Sequence, residues 1–368
     1  MKNIATKSPG SERHKTIHPP APRVMLVDDS GISRVLMARW LDESGAQVVS
    51  QASNGREALA NIASARPDIV LLDIEMPGKS GIEILPLLRE ASPQSRIVMV
   101  STLTQRNAAI TMEALSAGAV EALAKPNSDW SGSSVAEFRR RLVETVWGIC
   151  QGSEAAWPVG AAAEVRSAGR AGTRRARPSI VAIGASTGGP AALFSLLKHL
   201  PKAPRVPILI AQHMPPMFTG LLGTHLTRQT GISSAEAVHD DAITQGQIYI
   251  APGAHHMSVR RAADGTPRIR ITDDPPENFC RPSVNPLFRS VADIYGSAAL
   301  AIMLTGMGKD GLEGTKAMRA AGAHILAQDA VSSIVWGMPG AIVHEGLADD
   351  VLSIEDMGPF VADLVGGS

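Results

Sequence analysis

The chain has 368 residues, 44% hydrophobic and 19% charged, with 35 Lys and Arg against 35 Asp and Glu. That length exceeds one ordinary domain, the composition is that of a globular protein, and zero net charge gives no support for nucleic acid or an anionic membrane as the main partner. Cys150 and Cys280 lie far apart without metal or redox spacing, which fits a reducing compartment and buried, inert thiols. No long apolar run could cross a bilayer and no signal-peptide core opens the chain, so a cytoplasmic protein without membrane insertion is expected.

Residues 1–22 are rich in Lys, Ser, His and Pro and read as a disordered leader. From Arg23 the apolar runs "RVMLVD", "AQVVSQ", "DIVLLD", "RIVMVS" and "AVEALAK" alternate with helix-like stretches such as "SRVLMARWLDESG". That alternation predicts a parallel sheet covered by helices, closed by a last helix over roughly Ser133–Cys150. Residues 151–178 are Ala, Gly and Arg rich with few large aliphatics, and read as a flexible linker. A second alternation occupies 179–368. "SIVAIG", "VPILIA" and "AALAIMLT" are continuous apolar runs suited to central strands buried on both faces, with helices beginning near Gly189, Pro216 and Gly311. "GQIYIAPG", "HHMSVRR" and "PRIRITD" alternate at period two and are expected as hairpins appended to the sheet. The fold class is therefore α/β: two doubly wound parallel-sheet domains, the first flavodoxin-like, the second with added β-hairpins.

In the first domain (23–150), Asp28 and Asp29 follow one strand and Asp73 another, Ser101 ends a third, and Lys125 precedes Pro126 after the fifth. The carboxyl ends of parallel strands share one edge, so all five converge. Crowded carboxylates repel, and a hard cation such as Mg²⁺ on Asp28, Asp29 and Asp73 relieves this. Asp73 then suits a phosphoryl acceptor, with Lys125 pairing its oxygens and Ser101 bonding the new group. Any one of these Asp residues alone would be an ordinary helix cap. Together they resemble the receiver domain of two-component response regulators, over Arg23 to about Cys150. One position departs: receivers often carry an aromatic three residues before the Lys, and here that residue is Ala122.

In the second domain (179–368), "GASTGGP" lacks both the G-x-G-x-x-G spacing and a Walker lysine, which argues against nucleotide binding. It does fit G-x-S-x-G, a sharp strand-to-helix turn exposing a serine oxygen. A nucleophilic Ser186 needs a base and an orienting carboxylate. His213 follows the second buried run and Asp310 the third. Strands about 4.8 Å apart would let the three meet. The order Ser, His, Asp differs from that of the α/β-hydrolases, chymotrypsin and subtilisin.

"GASTGGP", "QHMPPMFT", "YIAPG", "RPSVNPLF", "MLTGMGKDG" and "WGMPG" together resemble the catalytic domain of the CheB-type protein-glutamate methylesterases, and a receiver in front is that family's arrangement. The resemblance implies a phosphorylation-activated hydrolase that demethylates glutamate side chains of chemoreceptors and deamidates specific glutamines. Ser186 would be the nucleophile, His213 the base and acid, and Asp310 the orienting carboxylate. Thr187 and Met307 would line the site or its oxyanion hole, and the ester reaction would need no cofactor. The implied partners are methylated chemoreceptor cytoplasmic helices and a histidine kinase of CheA type, with no nucleic acid. The alternative is a non-enzymatic regulator whose second domain binds a partner. Lys309 reads as solvated, His255, His256 and Arg281 as packing or substrate contacts, and His225 and His239 stand without a constellation.

Overall fold

In the computed structural model the described residues are 20–102, 104–126, 133–151 and 177–366. The leader and linker expectations fall almost wholly outside them. The first unit runs β1 (Arg23–Val27), α1 (Gly31–Glu43), β2 (Gln47–Ala52), α2 (Gly55–Ala65), β3 (Ile69–Asp73), α3 (Gly81–Ala91), β4 (Arg96–Ser101), α4 (Gln105–Ser116), β5 (Glu121–Ala124) and α5 (Ser133–Gln151). Its five strands are ordered β2-β1-β3-β4-β5 and all pair in parallel. Local chemistry sets the helix starts. The Ser30 side chain accepts from Ser33 N–H, Asn54 caps α2, and Ser80 with Glu83 forms a capping box on α3. Strand β3 is buried along its whole length, which leaves Asp73 sealed at its end.

The second unit runs β6 (Ile180–Ala185), α6 (Gly189–Leu197), β7 (Ile208–Gln212), α7 (Pro216–Thr230), β8 (Ser233–Glu236), β9 (Gln247–Ile250), β10 (His256–Arg261), β11 (Pro267–Thr272), α8 (Val284–Tyr295), β12 (Ala299–Met303), α9 (Leu312–Ala320), β13 (His324–Gln328), α10 (Met338–His344), β14 (Asp350–Leu352) and α11 (Ile354–Val365). Its sheet is ordered β14-β13-β12-β6-β7-β9-β8, parallel throughout. Strands β6, β7 and β12 are wholly buried. Each such Ile, Leu or Val contributes about 1.5–3 kcal/mol relative to exposure. The expected hairpins are partly corrected: β10 and β11 form a separate antiparallel ribbon, whereas "GQIYI" joins the main sheet in parallel between β7 and β8. Tyr249 alternates in sequence as an edge residue would, yet its ring is buried and its hydroxyl donates to Ala242 O at 2.8 Å.

The two units pack together. Helix α4 lies against α6 and α7, and apolar side chains of all three belong to one continuous core. Ser116 Oγ stands 2.6 Å from His225 Nε2, Glu113 faces Arg228 at 3.7 Å, and the Phe194 ring lies 5.0 Å from the His225 ring. His225, isolated in sequence, is thus a domain-contact residue. Its partner is 109 positions away, out of reach of any local pattern.

Candidate active site

The order β12-β6-β7 places the ends of three strands side by side. Ala185 and Gln212 are register partners, so Ser186 and His213 occupy the next rung. Gln212 Nε2 donates to Ser186 O at 2.9 Å and His213 O at 3.3 Å, tying the two residues together. Ser186 N–H donates to Thr305 O beyond the end of β12. A Cβ on Gly306 would come within 2.8 Å of Ser186 Cβ, so that turn needs glycine to close on the serine. Gly188, at φ 78°, ends the other turn and opens α6.

Asp310 is buried and fully occupied as an acceptor. Oδ1 accepts from Ser283 Oγ at 2.7 Å and Asn278 Nδ2 at 2.9 Å; Oδ2 accepts from Val284 N–H at 2.7 Å and pairs with His213 Nε2 at 2.8 Å. Burial works to raise its pKa, but the His213, Ser283 and Val284 bonds outweigh it and hold the carboxyl below its usual range. For His213, burial opposes the charged form, yet Asp310 and Cys280 raise the imidazole above its usual value. The second ring nitrogen, Nδ1, lies 3.4 Å from Cys280 Sγ. The Ser186 hydroxyl is not among the described hydrogen-bond partners of His213, but both residues line one cavity of about 510 Å³.

Thr187 and Met307 line the same cavity, as does the receiver residue Glu121. The Glu121 carboxyl accepts from Ala122 N–H at 2.8 Å; burial raises its pKa against the pull of that bond, Arg141, Thr187 and Gly188. Helix α5 closes over the same side, where a Cβ on Gly148 would sit 2.9 Å from Met307 Sδ. Lys309 is exposed, as its composition bias suggests. His256 is structural: its Nδ1 accepts from Ser283 N–H at 3.1 Å and its Nε2 donates to Pro275 O at 3.1 Å. His255 pairs with Asp273, and Arg281 donates to the carbonyls of Asp273 and Asp274. Asn278, Ser283, Glu121 and Cys280 were not legible as site residues, because each reaches the site from a segment with no spacing signature. The reading of Cys280 as a buried, inert thiol is overturned: it is half-buried and touches the imidazole.

At the receiver's edge, Lys125 Nζ bridges Asp28 Oδ2 at 2.8 Å and Asp73 Oδ2 at 2.7 Å. Desolvation raises Asp73 to about 6 against the pull of Lys125. Burial also acts to lower Lys125, but Asp73 and Asp28 raise it on balance. Oxygens of Asp28, Asp29 and Asp73 lie within 4.8 Å of one another, an all-oxygen set that fits a hard cation such as Mg²⁺. Ser101 is buried at the end of β4, where its carbonyl accepts from Lys125 N–H at 2.7 Å.

Residues 181–361 match the family described as CheB methylesterase, and residues 24–131 match the response regulator receiver domain. A protein-glutamate methylesterase/protein-glutamine glutaminase of Maricaulis maris is 41% identical, covering 92% of this chain and 94% of that protein. The chain belongs to the CheB methylesterase family. A Rhodospirillum rubrum relative with the same description is 43% identical over 92% of this chain and 94% of its own. The catalytic domain of Thermotoga maritima CheB methylesterase matches in structure with a TM-score of 0.50 at 36% identity, covering 51% of this chain and 99% of that one. In CheB-family terms, the receiver lies over the methylesterase cavity, and no helix of the described residues is long and apolar enough to cross a membrane.

Proposed function

We propose that this chain hydrolyses methyl esters on glutamate side chains of chemoreceptors and deamidates specific glutamines, under control of phosphorylation at Asp73. The observation that carries it is the paired His213–Asp310 at 2.8 Å, sharing one cavity with Ser186 at the adjoining strand ends. Asp310 accepts the Nε2 proton, so Nδ1 is the nitrogen left to act as base. It takes the Ser186 hydroxyl proton as that oxygen attacks the ester carbonyl. The tetrahedral intermediate collapses, methoxide leaves with the proton held by His213, and methanol departs. Water, deprotonated by the same nitrogen, cleaves the glutamyl-serine ester and restores the enzyme. With a glutamine substrate the same acyl step expels ammonia.

Thr187 Oγ1 and Gly188 N–H are the oxyanion donors in this reading, since both act electrostatically on a carboxyl group that enters the cavity beside Thr187. That carboxylate is Glu121, which resembles the product side chain and holds the site shut. It begins β5, and Lys125 follows the same strand's end on Asp73. The lysine that pairs with the phosphoacceptor and the occluding carboxylate are thus four residues, about 13 Å, apart along one strand and its end. A phosphoryl group on Asp73 draws Lys125 and Ser101 toward it and biases the pair of domains to the open arrangement. When bound, Mg²⁺ on Asp28, Asp29 and Asp73 offsets the charge on the phosphoryl oxygens. A histidine kinase of CheA type supplies the phosphoryl group. Phe279, 93% exposed at the cavity rim, offers its ring to the helical receptor bundle that presents the ester.

Ser186→Ala tests this. Methanol release from methylated receptor is expected to fall by about 10⁴-fold or more with the thermal transition unchanged; unaltered turnover rejects the assignment.

A further inference from the structure

The molecule holds two clusters of metal-ligating side chains among its described residues, and their donor chemistry differs. The receiver cluster is all oxygen. The other joins His213, Cys280 and Asp310, whose ligand atoms lie within 4.8 Å of one another. A thiol has no part in the ester chemistry, yet Cys280 sits at the one imidazole nitrogen that chemistry needs.

We propose that Cys280 Sγ and His213 Nδ1 form a binding site for a thiophilic divalent cation of the Zn²⁺ class, whose occupancy shuts off hydrolysis. Zinc binds thiolate sulfur at about 2.3 Å and imidazole nitrogen at about 2.0–2.1 Å, which across a tetrahedral angle separates the two donors by about 3.5 Å. Sγ and Nδ1 stand 3.4 Å apart, so the pair is already set at the required span. Asp310 completes the site from behind. It accepts the Nε2 proton at 2.8 Å, leaving the Nδ1 lone pair for a metal, the carboxylate–histidine–metal relay that orients ligands elsewhere. Its other contacts, from Ser283, Asn278 and Val284, keep it in that supporting place rather than on the metal. Both ligand residues line the cavity of about 510 Å³, which leaves room for further ligands. Sulfur and imidazole select Zn²⁺, or Co²⁺ as its probe, over Mg²⁺, which the receiver's carboxylates suit.

Binding displaces the protons held on Cys280 Sγ and His213 Nδ1 and releases them to solvent, so metal uptake acidifies the medium. Nδ1, once coordinated, has no lone pair to take the Ser186 proton. This consequence rests on the hydrolase reading above; the binding itself does not.

The test uses the full-length chain, free of chelator and added thiols. Adding Co²⁺ is expected to give a thiolate-to-cobalt charge-transfer absorption, absent from Cys280→Ser and Cys280→Ala variants whose folding is checked by circular dichroism. Zn²⁺ is expected to inhibit methanol release reversibly by EDTA. The concentration for half-inhibition should rise at least tenfold in Cys280→Ser, measured against that variant's own rate. No cobalt–thiolate band in the native chain, or equal zinc sensitivity in both chains, overturns the site. A band that persists in a chain whose Ser186→Ala variant still turns over would instead leave the metal site standing and reject the hydrolase assignment.

Discussion

The receiver edge and the hydrolase edge are built on the same plan and carry opposite electrostatics. Each gathers its groups at the carboxyl ends of parallel strands. In the receiver, the clustered carboxylates and Lys125 sit at or just past strand ends, and Lys125 bridges Asp28 and Asp73. Burial there leaves negative charge under-compensated, as the raised Asp73 shows. In the hydrolase, the single carboxylate Asp310 is over-provided with donors, three of them from residues 278–284 rather than from its own strand end. An under-satisfied carboxylate invites a cation and a phosphoryl group. A saturated one holds an imidazole in a fixed tautomer.

Four changes would break or sharpen that contrast. Asp310→Asn should be the most severe, lowering kcat by about 10³–10⁴-fold, because the amide no longer fixes the tautomer. It also removes the main group that raises His213, and an imidazole must be neutral to act as base. The alkaline-going rise of kcat/KM should therefore move to lower pH in the residual activity; a limb unmoved by the substitution would show that Asp310 does not set it. Asp73→Asn comes next, and stimulation of methanol release by acetyl phosphate should vanish; equal stimulation in the variant would refute the phosphoswitch. Glu121→Gln should raise the unphosphorylated rate by up to about tenfold, since hydrogen bonding by that carboxyl, worth about 0.5–1.5 kcal/mol net, is weakened. An unchanged rate would mean that occlusion rests on the α4 and α5 packing alone.

The smallest effect concerns the turn that bears Asn278. Glu277 and Cys280 exchange two backbone hydrogen bonds around Asn278 and Phe279, both left-handed at φ 51° and 63°. Such turns favour Asn followed by Gly. Phe279→Gly should stabilise the chain by up to about 1 kcal/mol in chemical denaturation. It should also raise KM for receptor, if the exposed ring contacts substrate. A destabilised variant would show that the ring is anchored rather than held out.

Much of this architecture was legible in the sequence because periodicity and strand-end chemistry are local. The buried runs ending in Asp73, Ser186 and His213 announce parallel strands, and the topology then forces their ends to one edge. Asp310 was legible for the same reason, lying just beyond β12. The reading failed where alternation misled, as at "GQIYI": a period-two pattern arises on an edge hairpin and equally on a strand whose Tyr249 hydroxyl finds a buried acceptor. It misread Cys280 as a buried, inert thiol and gave no site role to Asn278 or Ser283, which reach the site from a loop and a helix cap.

The sequence by itself determined two α/β units, the convergence of Asp28, Asp73 and Lys125, and the candidate trio Ser186, His213 and Asp310, because each depends on residues within one strand and its following turn. Tertiary structure alone decided that Glu121 enters the cavity beside Thr187, that His225 meets Ser116, and that Cys280 reaches Nδ1 of His213. Those contacts join segments 66, 109 and 67 residues apart. No short-range pattern encodes them, since they exist only once distant segments, within one unit or across the two, have packed.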